Sequence, residues 1–137
     1  MGRVLAIDYG KKRTGIAVTD ILRIIATPLE TVRTHDLEDF LKKYLEKEVV
    51  DEFVIGYPVT LNNQPGEMVN NIEKLKVRLG RLFPSKPVHF VDERFTSSMA
   101  MQTMIDGGMK KKDRAVKANV DKISASLILQ SYMSSLE

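Results

Sequence analysis

Apolar and polar residues recur along this chain with two different periods, and the switches between them mark out its elements. Residues 3 to 9 and 14 to 20 are rich in Val, Ile, Leu and Ala and flank Gly10-Lys11-Lys12-Arg13, a pattern that predicts a hairpin. A third extended stretch, 23 to 33, contains Pro28, which lacks an N–H to donate and so belongs near a sheet edge. From Asp36, placed as an N-cap, Leu37, Phe40, Leu41, Tyr44 and Leu45 recur at helical spacing and predict an amphipathic helix. Residues 51 to 56 form a fourth strand, and Gly56-Tyr57-Pro58 opens a long polar loop that reaches Gly66. A second helix over 67 to 83 runs through Val69, Ile72, Leu75, Leu79 and Leu82 and is stopped by Pro84. Residues 88 to 91 give a fifth strand, 96 to 106 a third helix, and 119 to 135 a fourth helix that is apolar nearly all round. A hairpin followed by alternating strands and helices predicts an α/β fold, a mixed five-stranded sheet flanked by helices.

Composition narrows this picture. With 137 residues and 43% hydrophobic content, the chain is expected to form one domain over residues 1–137 that buries about two thirds of its unfolded surface. There is no cysteine, which excludes a disulfide framework, a thiol nucleophile and a Cys-type zinc site, and which suits the cytoplasm. No apolar run approaches the ~18 residues of a membrane span, so no membrane partner is expected. The net charge of +3 is unevenly placed: residues 107–117, GGMKKKDRAVK, hold five bases and one acid, while the rest of the chain is close to neutral. That segment is expected to be a loop able to grip a polyanion through Lys110, Lys111, Lys112, Arg114 and Lys117. Taken alone, a lysine run is also what a solvated linker looks like.

The candidate chemistry lies in three acids at element ends. Asp8 closes the apolar run Val4-Leu5-Ala6-Ile7, Glu93 follows Val88-His89-Phe90-Val91, and Asp121 opens the C-terminal helix. A carboxylate at the end of a buried strand is costly unless something pairs with it. In an α/β sheet the carboxyl ends of the strands form the ligand crevice, so parallel strands ending at Asp8, Gly56 and Glu93 would bring these acids together. Carboxylates without Cys or usefully spaced His suit a hard, oxygen-liganded cation, Mg²⁺ or Mn²⁺, one ion or two. His35 and His89 are expected to be structural. Each acid also has a plain structural role open to it: Asp8 in the following turn, Glu93 paired with Arg94 or Arg13, and Asp121 at the positive end of its helix. Asp20, Asp51 and Asp92 suit turns or strand edges, and Asp92 is the nearest rival to Glu93.

Four motifs in order, Asp8-Tyr9-Gly10 with Arg13-Thr14-Gly15-Ile16-Ala17-Val18, Val54-Ile55-Gly56-Tyr57-Pro58, Asp92-Glu93-Arg94-Phe95-Thr96-Ser97 and Asp121-Lys122-Ile123-Ser124-Ala125-Ser126-Leu127-Ile128-Leu129-Gln130, resemble those of the YqgF family, also called RuvX. The resemblance spans essentially the whole chain. It implies a ribonuclease H-like fold similar to that of the junction resolvase RuvC. It also implies a metal-dependent nuclease that processes the 5′ end of precursor 16S rRNA, with Holliday junction resolution in branched DNA as the older assignment. Asp8, Glu93 and Asp121 become the catalytic, metal-binding acids, with Lys11, Lys12, Arg13, Arg94 and the bases of 107–117 positioning the nucleic-acid backbone. Ser124 stands where RuvC-type resolvases often carry a fourth acid, and Leu61-Asn62-Asn63-Gln64-Pro65-Gly66 replaces a loop that is often glycine-rich. Two other classes compete. A nucleic-acid-binding module without catalysis would be expected to lack the acids, all of which are present. An ATP-binding domain of the actin and sugar-kinase type needs a second lobe, for which 137 residues leave no room.

Overall fold

The computed structural model describes residues 2–57, 67–92 and 117–136. Among these residues the chain forms β1 (Arg3–Asp8), β2 (Arg13–Thr19), β3 (Ala26–Arg33), a 3-10 turn (Thr34–Asp36), α1 (Leu37–Lys47), β4 (Val50–Tyr57), α2 (Glu67–Leu82), β5 (Val88–Asp92) and α3 (Lys117–Ser135). The strands make one mixed sheet in the order β3-β2-β1-β4-β5. The expected hairpin is present, with β1 antiparallel to β2 and β2 antiparallel to β3. β1, β4 and β5 run parallel side by side. Their carboxyl ends therefore lie along one rim, which carries Asp8, Tyr57 and Asp92. The polar loop at 58–66, the helix expected over 96–106, most of the basic segment, and Glu93 lie outside the described residues.

The strand period of two sorts side chains onto two faces. Leu5, Ile7, Ile16, Val18, Phe53 and Ile55 point to one face, where Leu37 and Leu41 of α1 and Ile72, Leu75 and Leu79 of α2 complete a core. Val4, Ala6, Ala17 and Val54 point to the other, where Ala125, Ile128 and Leu129 of α3 cover them. The second face is built of smaller residues, so α3 lies close over β2, β1 and β3. Burying Ile128 and Leu129 there stabilises the fold by ~1.5–3 kcal/mol per side chain. The C-terminal helix is therefore one-sided: Gln130 and Ser131 are exposed while Ser124, Ala125 and Ser126 are buried.

The start of β3 and the capping of α1 differ from the sequence expectation, each for a local reason. β3 begins at Ala26, not at 23, because the Asp20 carboxylate accepts the N–H groups of Ile24 (2.7 Å) and Ile25 (2.9 Å) and closes a turn in which Arg23 takes φ 58°. Pro28 does sit on the edge strand, beside an irregularity where Glu30 pairs with Ile16 and Pro28 with Ala17, so that Leu29 is the extra residue. Asp36 takes the N-cap position of α1, as expected, but its side chain does not cap the helix. It ends the 3-10 turn in helical conformation (φ −95°, ψ −1°), makes no capping bond, and the Leu37 N–H bonds Thr34 O instead.

Candidate active site

Strand alternation and one glycine converge on the rim of the sheet. Asp8 follows Val4 and Ala6 at even spacing, so it belongs to the α3 face, and its cross-strand partner on β2 is Gly15. The α3 backbone lies directly over that glycine. A Cβ built on Gly15 would fall 2.0 Å from Asp121 O and 2.3 Å from Asp121 C. Only a residue without a side chain lets the helix come this near, and the approach sets Asp121 beside the end of β1. Asp8 and Asp121 are thus two of the three sequence-predicted acids that the fold brings together. Asp121 does not open its helix: α3 starts at Lys117, no acid lies in its first turn, and Asp121 is the fifth residue. A dipole-capping role for Asp121 is correspondingly weak, because that effect fades within the first turn.

Asp121 is held by Arg13, whose Nε donates to Asp121 Oδ2 at 3.1 Å. The pair is half-buried; the expected pairing of Glu93 with Arg94 or Arg13 falls on Glu93 and lies outside the described residues. Arg13 is aimed by the preceding turn. Gly10 leaves no room for a Cβ, which would sit 2.2 Å from Arg13 O. Thr34, from the end of β3, pins the same turn: its N–H bonds Lys12 O (3.0 Å), its hydroxyl donates to Gly10 O (2.6 Å), and the Thr14 hydroxyl lies 2.9 Å from it. Thr34 has one hydroxyl proton, already given to Gly10, so Thr14 is the donor in that pair. Thr14 and Gly15 stand in the first motif, but the sequence does not show what either does, and Thr34 carries no signal there.

Lys11 and Lys12 are exposed on this turn and line a groove of about 720 Å³ with Arg13 and with two cations the sequence reading missed, Arg33 and Arg78. His35 lines it too, with its side chain 72% exposed, so it is not a core histidine. His89 is structural, its ring stacked on Tyr132 at 5.5 Å. On the β4–β5 side of the rim Tyr57, Glu73, Phe90 and Asp92 line a smaller cavity of about 340 Å³. There burial, reinforced by the bond to Glu73 at 3.2 Å, raises the Tyr57 phenol above its ordinary value. Asp20 and Asp51 have the local roles expected of them; Asp51 Oδ2 accepts the Gly2 N–H (2.7 Å) and an Arg23 N–H (2.8 Å). Lys117 is the first residue of α3, whereas Glu93, Arg94, Lys110, Lys111, Lys112 and Arg114 lie outside the described residues.

The donor chemistry at the rim fits a hard divalent cation. Both acids present are carboxylates, and a guanidinium already supplies positive charge to one of them. Ser124, one helical turn beyond Asp121, is fully buried, and its Oγ has no hydrogen-bond partner among the described residues, an orphaned oxygen on the same helix. Among the described residues no group of three His, Cys, Asp or Glu side chains is arranged to hold a metal. The third acid of the sequence, Glu93, directly follows the last residue of β5.

Comparison with known proteins agrees with this layout. Residues 2–135 match the family model RuvX, described as Holliday junction resolvase. A relative from Phocaeicola vulgatus is 58% identical over 135 residues, covering 98% of this chain and 97% of its own length. Relatives from Bacteroides fragilis (53% over 133 residues, 97% and 96%) and Flavobacterium johnsoniae (52% over 135 residues, 98% and 98%) are similar. All three carry the name "Putative pre-16S rRNA nuclease". The mixed five-stranded sheet with helices on both faces is the ribonuclease H-like arrangement implied by the motifs. On this match over nearly its whole length, the chain belongs to the RuvX family.

Proposed function

We propose that this chain, as one domain over residues 1–137, is a metal-dependent nuclease that trims the 5′ end of precursor 16S rRNA in the cytoplasm. One observation supports the reading: the backbone of α3 at Asp121 lies over Gly15, the cross-strand partner of Asp8, so that two acids distant in sequence occupy neighbouring positions at the rim of the mixed sheet. The names of the relatives point to the same substrate.

In this reading Asp8, Glu93 and Asp121 hold Mg²⁺ or Mn²⁺, which when bound activates water and offsets charge on the departing oxygen. Arg13 fixes the Asp121 carboxylate through its 3.1 Å contact. Lys11, Lys12, Arg94, Lys110, Lys111, Lys112, Arg114 and Lys117 hold the phosphate backbone, contacts that position the substrate without reading bases. Hydrolysis leaves a 5′-phosphate and a 3′-hydroxyl.

A second reading, resolution of four-way DNA junctions, is favoured by the description of the matching family model. The two separate in one experiment, in which a transcript carrying the 16S 5′ leader and a four-way DNA junction are each incubated with the protein and Mg²⁺ or Mn²⁺. Cutting of the leader is expected. Cutting of the junction alone moves the assignment to the resolvase, and cutting of neither removes the nuclease reading.

A further inference from the structure

We propose that the groove between the β1–β2 turn, the 3-10 turn and α2 is a second phosphate-backbone site, which takes the substrate chain where it leaves the carboxylates toward the β3 edge. The proposal rests on the nuclease reading and extends it to residues that reading does not use, Arg33 and Arg78.

The groove is lined by Tyr9, Lys12, Arg13, Arg33, His35 and Arg78 among others, and among the described residues no Asp or Glu lines it. Its volume of about 720 Å³ is within the range of pockets that hold sizeable ligands. The register of the sheet adds an independent observation. Arg13 and Arg33 are direct cross-strand partners on β2 and β3. Like charges placed opposite one another oppose folding, and nothing in the packing requires an arginine at the exposed end of an edge strand. Asp121 compensates Arg13. Among the described residues Arg33 and Lys12 have no acidic partner. Arg78 is held by Glu38 at 2.8 Å yet is half exposed, and its guanidinium has five N–H donors, more than one carboxylate contact uses.

The groove is also preformed. The three bonds of Thr34 lock the β1–β2 turn against the segment that carries Arg33 and His35, so the cations on the two sides keep their spacing without a ligand. A set of cations in which, among the described residues, Arg33 and Lys12 have no acidic partner and Arg13 and Arg78 each keep N–H donors beyond one carboxylate contact suits a polyanion of regular spacing, and a phosphodiester backbone meets that description. Arg13 gives the direction. It bonds Asp121 and also lines the groove, and its partner across the β2–β3 pairing is Arg33, so the groove continues from the acids by way of Arg13 toward β3.

The test uses the full chain carrying Asp8→Asn, so that RNA is bound and not cut, with the 16S 5′ leader transcript as probe and salt varied between about 50 and 200 mM. Adding Arg33→Gln is expected to weaken binding several-fold at low salt. It should also reduce the slope of log K against log[salt] by about 0.7–0.9, the loss of one phosphate contact. Lys12→Gln should act in the same direction, and both effects should be equal for leader and scrambled RNA. Lys43→Gln, on the exposed side of α1, should leave the slope unchanged. Removing the opposed charge should meanwhile raise the Tm of the free protein by about 1–4 °C. If the parent binds RNA and the wild type cuts it while Arg33→Gln keeps the parental slope, the groove proposal fails alone. A lower Tm for Arg33→Gln would mean that the arginine serves the fold, and would overturn the proposal as well. A parent that binds no RNA, with a wild type that cuts none, removes both readings together.

Discussion

At Gly15 there is no space for even a methyl group, and this single position couples the stability of the fold to the site. An added Cβ would meet the backbone carbonyl of Asp121 at 2.0 Å, so α3 would have to lift from β2. Gly15→Ala is therefore expected to lower stability by ~1–3 kcal/mol in a urea melt and to cut nuclease activity further than the fraction unfolded explains, because Asp121 moves away from Asp8. An alanine variant with unchanged stability would show that the helix does not lie where described. Asp8 was legible in the sequence, because an acid closing a run of four buried residues needs a partner. The Arg13–Asp121 contact was not, since 108 residues separate the two and only the packing of α3 brings them together. Gly15 is legible as a motif residue but its role is not, because that role lies in the helix above it.

Elements with a strong period were the readable ones. The apolar faces of α1 and α2 follow their predicted positions, with Leu37, Leu41, Ile72, Leu75 and Leu79 buried. Helix starts were less readable, because capping is a matter of backbone geometry more than residue type. Asp36 has the residue type of an N-cap and makes no capping bond, so Asp36→Ala should change stability by less than about 0.5 kcal/mol, against the ~1 kcal/mol typical of a true cap. α3 offers a pH test. Tyr132 donates to Glu52 Oε1 at 2.5 Å, and burial, then that bond, pushes its phenol up to about 12 from an ordinary 10.0. A raised phenol pKa favours the folded state below the unfolded value, and this stability is lost as pH climbs from about 10 toward 12. Tyr132→Phe should flatten the fall of Tm over that window. At the acid end, the N–H of Gly2, with help from Arg23, holds the Asp51 carboxyl below its ordinary 3.8. Its contribution is present above that value and lost as pH falls through the folded one, so the Tm difference between wild type and Asp51→Asn should shrink on acidification below about pH 4.

The whole molecule places β1 at the centre of the sheet, with α1 and α2 on one face and α3 on the other. Fold class, strand count and the parallel set β1, β4 and β5 could be read from the chain, since hairpin and strand–helix–strand connections leave few arrangements open. The basic groove could not. Arg33 and Arg78 lie far apart in sequence and meet only because β3 and α2 both border the β1–β2 turn. Under the proposed function this arrangement would separate two tasks, with the acids over β1 and β2 and the cations of the groove toward the β3 edge. The central claim is that Asp8 and Asp121 act together on a phosphodiester. The most direct measurement is the rate of leader RNA cleavage against Mg²⁺ or Mn²⁺ concentration for wild type, Asp8→Asn, Asp121→Asn and the double variant. Cleavage that requires the metal, falls by more than about 10²-fold in each single variant and falls little further in the double variant is the predicted result, since residues acting as a unit are not additive. Metal-independent cleavage, or full activity in either single variant, would contradict it.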